Sequence, residues 1–145
     1  MTFKIFFYII LMTLSTLNSA NSAIKKSLPL CRDSPNCVSS QAQDAKHFIE
    51  PFKIKGDCNE AWQALKEAIN KQSRMVITHE TSDTLHAEAT SLIFHFVDDI
   101  NVILDNDTNV IHIRSASRTG HSDFGVNRKR VEALRLQLQK AHIID

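Results

Sequence analysis

Between Arg114 and Arg130 the chain holds four arginines (Arg114, Arg118, Arg128 and Arg130), with Lys129, Asp123, Asn127 and two glycines, Gly120 and Gly125, set among them. A guanidinium donates hydrogen bonds from a rigid planar fork, so several beside a carboxylate and an amide make a fixed internal network or a pocket for an anion. The adjacent acids Asp98 and Asp99 are natural partners for such arginines. In one reading, Asp98 or Asp99 pairs with Arg118 or Arg114, and Asp123 caps a helix. In the other, a carboxylate fixes an arginine whose free edge binds an anionic ligand at a helix N-terminus. The candidate ligand-binding residues are therefore Asp98, Asp99, Arg114, Arg118, Asp123, Arg128 and Arg130.

A catalytic version of the same cluster would use Asp98, Asp99 or Asp123 as general base, with Arg118 or Arg128 holding an anionic substrate. Serine hydrolysis has weaker support. His121-Ser122-Asp123 contains the letters of a triad, but a triad is a convergence in space, and the sequence has no Gly-x-Ser-x-Gly elbow. Asp105-x-Asp107-x-Asn109 resembles the start of a calcium loop. Its sixth position is Val110 and its twelfth Ala116, which removes the turn glycine and the bidentate acid. The seven histidines lack metal-ligand spacing, and although His86 and His95 could sit across neighbouring strands, surface placement is the default. The expectation is no metal and no cofactor.

These residues need a frame. Asp57-Cys58-Asn59-Glu60 reads as a capping box, and Ala61, Trp62, Leu65, Ala68 and Ile69 repeat at helical spacing behind it. Cys58 falls on the same face and reads as a buried free thiol. Beyond Lys71 the period changes to two. Met75–Thr78, Leu85–Thr90, Leu92–Val97 with Ile100–Leu104, and Val110–Ser117 read as strands, with polar hairpin turns at 81–84 and 105–109. Asp98-Asp99 would form a bulge where two of these segments meet. His47–Phe52 suggests an edge strand, with Pro51 keeping it at the margin. A last helix over about Phe124–His142 carries Val131, Leu134, Leu138 and Ala141 as its apolar stripe. The predicted fold is one α+β domain, an antiparallel sheet of about four to five strands packed by two helices in the order β-α-β-β-β-β-α.

In this frame Asn127 lies one turn before Val131, so its amide points to the core and must find partners. Ser115 and Ser117 alternate with Ile111 and Ile113 on the inward strand face. A structural network of Ser115, Ser117 and Asn127 should therefore tie strand to helix.

The first 23 residues follow the plan of a secretory signal peptide: Lys4, the apolar run from Ile5 to Met12, then small polar residues through Ala23. Thr13, Ser15, Thr16 and Asn18 interrupt the run before it could span a bilayer, so no stable membrane span is expected after signal cleavage. Residues 24–44 read as an N-terminal cysteine-containing loop and 45–145 as the α+β domain. Removing Lys4 with the leader takes the formal charge of +1 to 0, and a neutral chain gives no electrostatic case for nucleic-acid binding. In an oxidising compartment Cys31 and Cys37, separated by the turn-rich Arg32-Asp33-Ser34-Pro35-Asn36, are expected to form a disulfide.

Three blocks then carry a resemblance. Cys31 with Ser34-Pro35-Asn36-Cys37-Val38-Ser39-Ser40, then Phe96-Val97-Asp98-Asp99, then Arg114-Ser115-Ala116-Ser117-Arg118 with Gly120, Ser122-Asp123 and Gly125-Val126-Asn127-Arg128-Lys129-Arg130 resemble the bacterial and plastid domain of unknown function (DUF) 1499 family. Arg32 stands where that family often has proline. The resemblance implies an exported α+β domain of the envelope or an organelle and carries no established activity. The expected role is that of a periplasmic or secreted domain binding a small anionic ligand or an envelope protein at the arginine cluster. A small hydrolase-like enzyme and a purely structural envelope factor are the alternatives.

Overall fold

The carboxylate of Asp57 accepts the backbone N–H of Glu60 at 2.9 Å and so begins the first helix, α1 (Cys58–Lys71), by satisfying one of its free amides. Ala61, Trp62, Leu65, Ala68 and Ile69 form its buried face. In the computed structural model, which describes residues 26–145, two short strands precede it, β1 (Cys37–Ser39) and β2 (Phe52–Lys53). Four longer strands follow: β3 (Met75–Glu80), β4 (Thr84–Thr90), β5 (Val97–Asp105) and β6 (Val110–Ser117). The second helix is α2 (Val126–Lys140). The expected signal peptide lies outside the described residues, among which no helix is long and apolar enough to cross a membrane.

All strand pairs are antiparallel, in the order β1-β6-β5-β4-β3, and β2 shares with β1 the outer edge of β6. The chain is thus an α+β domain with six strands, one or two more than the sequence suggests. The two helices cover one face. Alternation gives Ile111, Ile113 and Ser115 of β6, and Ile100, Val102 and Leu104 of β5, to that covered side, against Val131, Leu134 and Leu138 of α2. The other face is polar and partly open, as antiparallel sheets allow. The N-terminal segment runs across it, with Lys26 bound to Asp83 at 2.5 Å and the Leu28 N–H donating to Gln41 Oε1 at 2.8 Å.

Several expectations need correction. Within the expected loop, Cys37–Ser39 pairs with Ala116–Arg114 as β1, a three-residue strand too short to show a period. Of the first expected strand, His47–Phe52, only Phe52 pairs with β6, together with Lys53 beyond it, since Pro51 has no N–H to donate. Residues 92–94 form a turn, and β5 runs unbroken from Val97, so no bulge occurs at Asp98-Asp99. The sheet irregularity is at Ile77/His79. The last helix ends at Lys140, leaving Ala141 as an exposed C-cap outside the stripe. Cys58 is free and only half-buried, donating to Asn109 Oδ1 at 3.3 Å.

Candidate functional site

Asp98 and Asp99 are neighbours in β5, opposite Ser117 and Ala116 of β6. Because a strand turns successive side chains to opposite faces, the pleat divides the two acids and the arginine cluster with them.

Asp98 faces the helices. Its carboxylate accepts Arg130 Nη2 at 2.7 Å, with the two side chains only 12% and 14% exposed. Arg130 Nη1 also donates to Ser115 Oγ at 3.0 Å and to Asn127 Oδ1 at 2.7 Å. The Asn127 amide is fully buried and fully used. Its oxygen also accepts Ser115 Oγ–H at 2.6 Å, and its nitrogen donates to Ser117 Oγ at 2.9 Å, Asp123 Oδ2 at 2.8 Å and the Asn36 carbonyl at 3.1 Å. Ser115, Ser117 and Asn127 therefore meet in one network that joins β6, α2, the preceding loop and the segment before β1. Asp123 is not the N-cap residue itself. Gly125 holds that position at φ 78°, and Asp123 acts from two residues earlier, accepting Gly125 N at 2.8 Å and Asn127 N at 3.0 Å. Glycine adopts that left-handed conformation without the steric cost a side chain would add.

Asp99 faces the open side. It takes Arg118 in a two-point grip, Nε to Oδ2 at 2.9 Å and Nη2 to Oδ1 at 2.8 Å, and Arg118 Nη2 also reaches Glu88 of β4. His86 Nε2 is 2.9 Å from Asp99 Oδ1. The Arg118 guanidinium, against the opposing effect of partial burial and with help from His86, holds the Asp99 carboxyl below the usual carboxylate range. Its two acids in turn raise Arg118 above an ordinary arginine. The nearest donor atoms of His86, Glu88 and Asp99 lie within 4.8 Å of one another, a spacing a metal ion could use. Here the guanidinium already supplies the cation to both acids.

Arg114 is the exception in this cluster. It shares the open face with Asp99, and its Nη1 donates to Asn101 Oδ1 at 3.2 Å and its Nη2 to the Leu30 carbonyl at 3.4 Å, both neutral. Its Nε is buried without a hydrogen-bond partner among the described residues. Burial weakens its hold on the proton, Asp99 partly offsets this, and the nearby charge of Arg32 adds to the destabilisation. Between these groups lies a cavity of about 260 Å³ lined by Arg32, Asn36, Asp99, Arg114 and Arg118, with Cys37, Ala116 and Ser117 completing its wall. The Cys31–Cys37 disulfide, with Cα atoms 5.7 Å apart, fastens the N-terminal segment beside it.

Of the candidate ligand-binding residues, Asp99, Arg114 and Arg118 line this cavity. Asp98 and Arg130 lie on the helix side, and Asp123 is engaged with the start of α2. Arg128 is turned away from the cluster, donating to the Phe48 carbonyl at 2.8 Å and the Lys46 carbonyl at 3.3 Å. Sequence reasoning missed Arg32, Asn36 and Glu88. Glu88 and His86 alternate along β4, which puts them on one face, but only the β4–β5 register brings them to Asp99.

The family profile described as "Protein of unknown function (DUF1499)" matches residues 27–138, and the chain belongs to that family. No curated protein sequence matches the chain.

Proposed function

We propose that this DUF1499 domain works in an oxidising compartment outside the cytoplasm, where it binds a small anionic ligand of phosphate, sulfate or carboxylate type between Arg32, Arg114 and Arg118. One observation carries the reading: among the described residues, Arg114 is a half-buried cation with no carboxylate bound to it and one buried N–H unsatisfied. A buried donor without a partner costs about 1–3 kcal/mol. An anion in the adjoining cavity would supply the missing charge and acceptor, and it would relieve the repulsion between Arg114 and Arg32. Arg118, clamped by Asp99 and Glu88, would present its remaining edge from a fixed position. The cavity is slightly smaller than typical pockets for drug-sized ligands, which suits a compact anion. The disulfide and the signal-like first 23 residues support export.

The arrangement favours binding over chemistry. A general base near neutral pH needs a raised carboxyl pKa, and Asp99 is held low instead. Asp98 is committed to Arg130 and Asp123 to three N–H groups of the α2 start.

Calorimetric titration with phosphate, sulfate and citrate tests the proposal. At least one should bind saturably, more weakly as salt is raised, and Arg114→Gln should abolish the signal while the fold persists. Equal binding by parent and Arg114→Gln, or no binding of any of these anions, overturns it.

A further inference from the structure

Ten large apolar side chains stand exposed among the described residues, and six of them cluster at one end of the sheet. Leu92, Ile93, Phe94 and Phe96 occupy the β4–β5 connection, and Phe124 and Val126 the start of α2. The register brings the two loops together: β4 and β5 end at the Thr90↔Val97 pair, Asp98 pairs with Ser117, and the Arg118 N–H donates to the Val97 carbonyl at 3.1 Å.

Both loops are built rather than frayed. The first is closed by Ser91 N–H to the Phe96 carbonyl and Phe96 N–H to Ser91 Oγ, each 2.9 Å, and the rings of Phe94 and Phe96 stack with centroids 5.5 Å apart. The second holds Phe124 in the left-handed region at φ 54°, which a bulky residue adopts only at a cost. With exposures of 70% for Phe94 and 89% for Phe124, these side chains project from the surface. Exposed apolar side chains gathered at one end in this way mark an interaction surface.

The charges around it favour one occupant. Residues 91–96 contain no acid. Of the acids at this end, Asp98 is paired with Arg130, Asp33 with Lys46, and Asp99 and Glu88 share Arg118, while Asp123 is turned into the α2 start, where neutral N–H groups hold it. Arg74, whose carbonyl accepts the Thr90 N–H, and Lys129, in the first turn of α2, have no carboxylate partner among the described residues. Projecting aromatic and aliphatic tips with the unpaired cations Arg74 and Lys129 at the same end match the interface of an anionic bilayer, where apolar side chains enter the headgroup boundary and cations face the lipid charge. We infer that this end of the sheet docks the domain on an anionic membrane surface through Phe94, Phe96 and Phe124.

Sedimentation of the intact, disulfide-bonded protein with vesicles tests this, comparing phosphatidylglycerol mixed into phosphatidylcholine with phosphatidylcholine alone. The protein should co-sediment with the anionic vesicles, less with the neutral ones, and less as salt is raised. Phe94→Ser/Phe96→Ser should weaken binding at least about tenfold, since both rings lose their apolar contact. Leu136→Ser, an exposed apolar residue on α2 away from this end, should leave it unchanged. An unaltered melting temperature in each variant excludes unfolding as the cause. Failure of the parent to bind anionic vesicles, or undiminished binding by the double variant, overturns the inference. So does self-association of the parent that the double variant abolishes, which would assign the patch to a second copy of the chain. Arg114→Gln should dock normally, so this test and that of the anion pocket fail independently.

Discussion

Replacing Asn127 with leucine removes five side-chain hydrogen bonds while keeping the branched outline of the side chain. Three of the bonds join neutral groups, Ser115, Ser117 and the Asn36 carbonyl, and at about 1 kcal/mol net each they amount to about 3 kcal/mol. The other two reach Arg130 and Asp123, and bonds to charged groups contribute about 1.5–3 kcal/mol each. Against this, leucine buries more apolar surface and returns about 1–2 kcal/mol. The stranded partners also keep other bonds: Arg130 to Asp98 and Ser115, and Asp123 to two backbone amides. The net loss should be about 3–5 kcal/mol, a large part of the roughly 5–15 kcal/mol that holds a domain folded. Asn127→Asp should cost more still, because it sets a second carboxylate against the Asp123 carboxylate and the Asn36 carbonyl, neither of which can donate. Equilibrium unfolding in urea, with the disulfide intact, measures both. A loss below about 1 kcal/mol for the leucine variant at an unchanged denaturant slope would refute the network as a source of stability.

Three other outcomes are expected. Reducing the Cys31–Cys37 bridge should cost about 2 kcal/mol by loop-closure entropy, readable as a lower urea midpoint; both cysteines should resist alkylation until a reductant is added. The Asp99 carboxyl is held low in the fold, so the unfolded chain binds its proton first as pH falls. Its stabilising contribution is therefore complete above the unfolded value of about 3.9 and fades as pH drops through the lower folded value. The difference in melting temperature between parent and Asp99→Asn should shrink on acidification below about pH 4, whereas a constant or growing gap would contradict the assignment. Cys58→Ala should cost less than about 1.5 kcal/mol in the same unfolding assay, because its thiol is half-buried and makes one weak bond; a loss above about 3 kcal/mol would mean it belongs to the core.

The sequence makes the helices and the long strands legible because their patterns extend over several periods. Asp57 begins α1, and the Trp62, Leu65, Ile69 stripe gives its buried face. The inward amide of Asn127 follows from its place one turn before Val131. What stays hidden depends on register and on short pairings. Whether Asp98 or Asp99 meets a given arginine is decided by the unbroken β5–β6 ladder, which an assumed bulge obscures. Arg32 and Asn36 come to the site only because three residues of β1 pair with β6 and carry the preceding loop alongside. The β4–β5 loop reads as a strand from composition, since Leu92, Ile93, Phe94 and Phe96 are good strand formers. The turn at 92–94 exposes them instead.

The central claim is that the pleat splits the arginine cluster into a structural half under the helices and a half on the open side to which we assign the proposed ligand. Unfolding free energies of Arg130→Met and Arg114→Met, measured together without added anions, test it most directly. Arg130→Met should lose about 3–5 kcal/mol, because it leaves the buried Asp98 carboxylate without its counter-charge. Arg114→Met should be unchanged or more stable, because it removes a half-buried cation with an unsatisfied N–H. A comparable loss in both variants, or a larger one for Arg114, would contradict the division and with it the case for a ligand at Arg114.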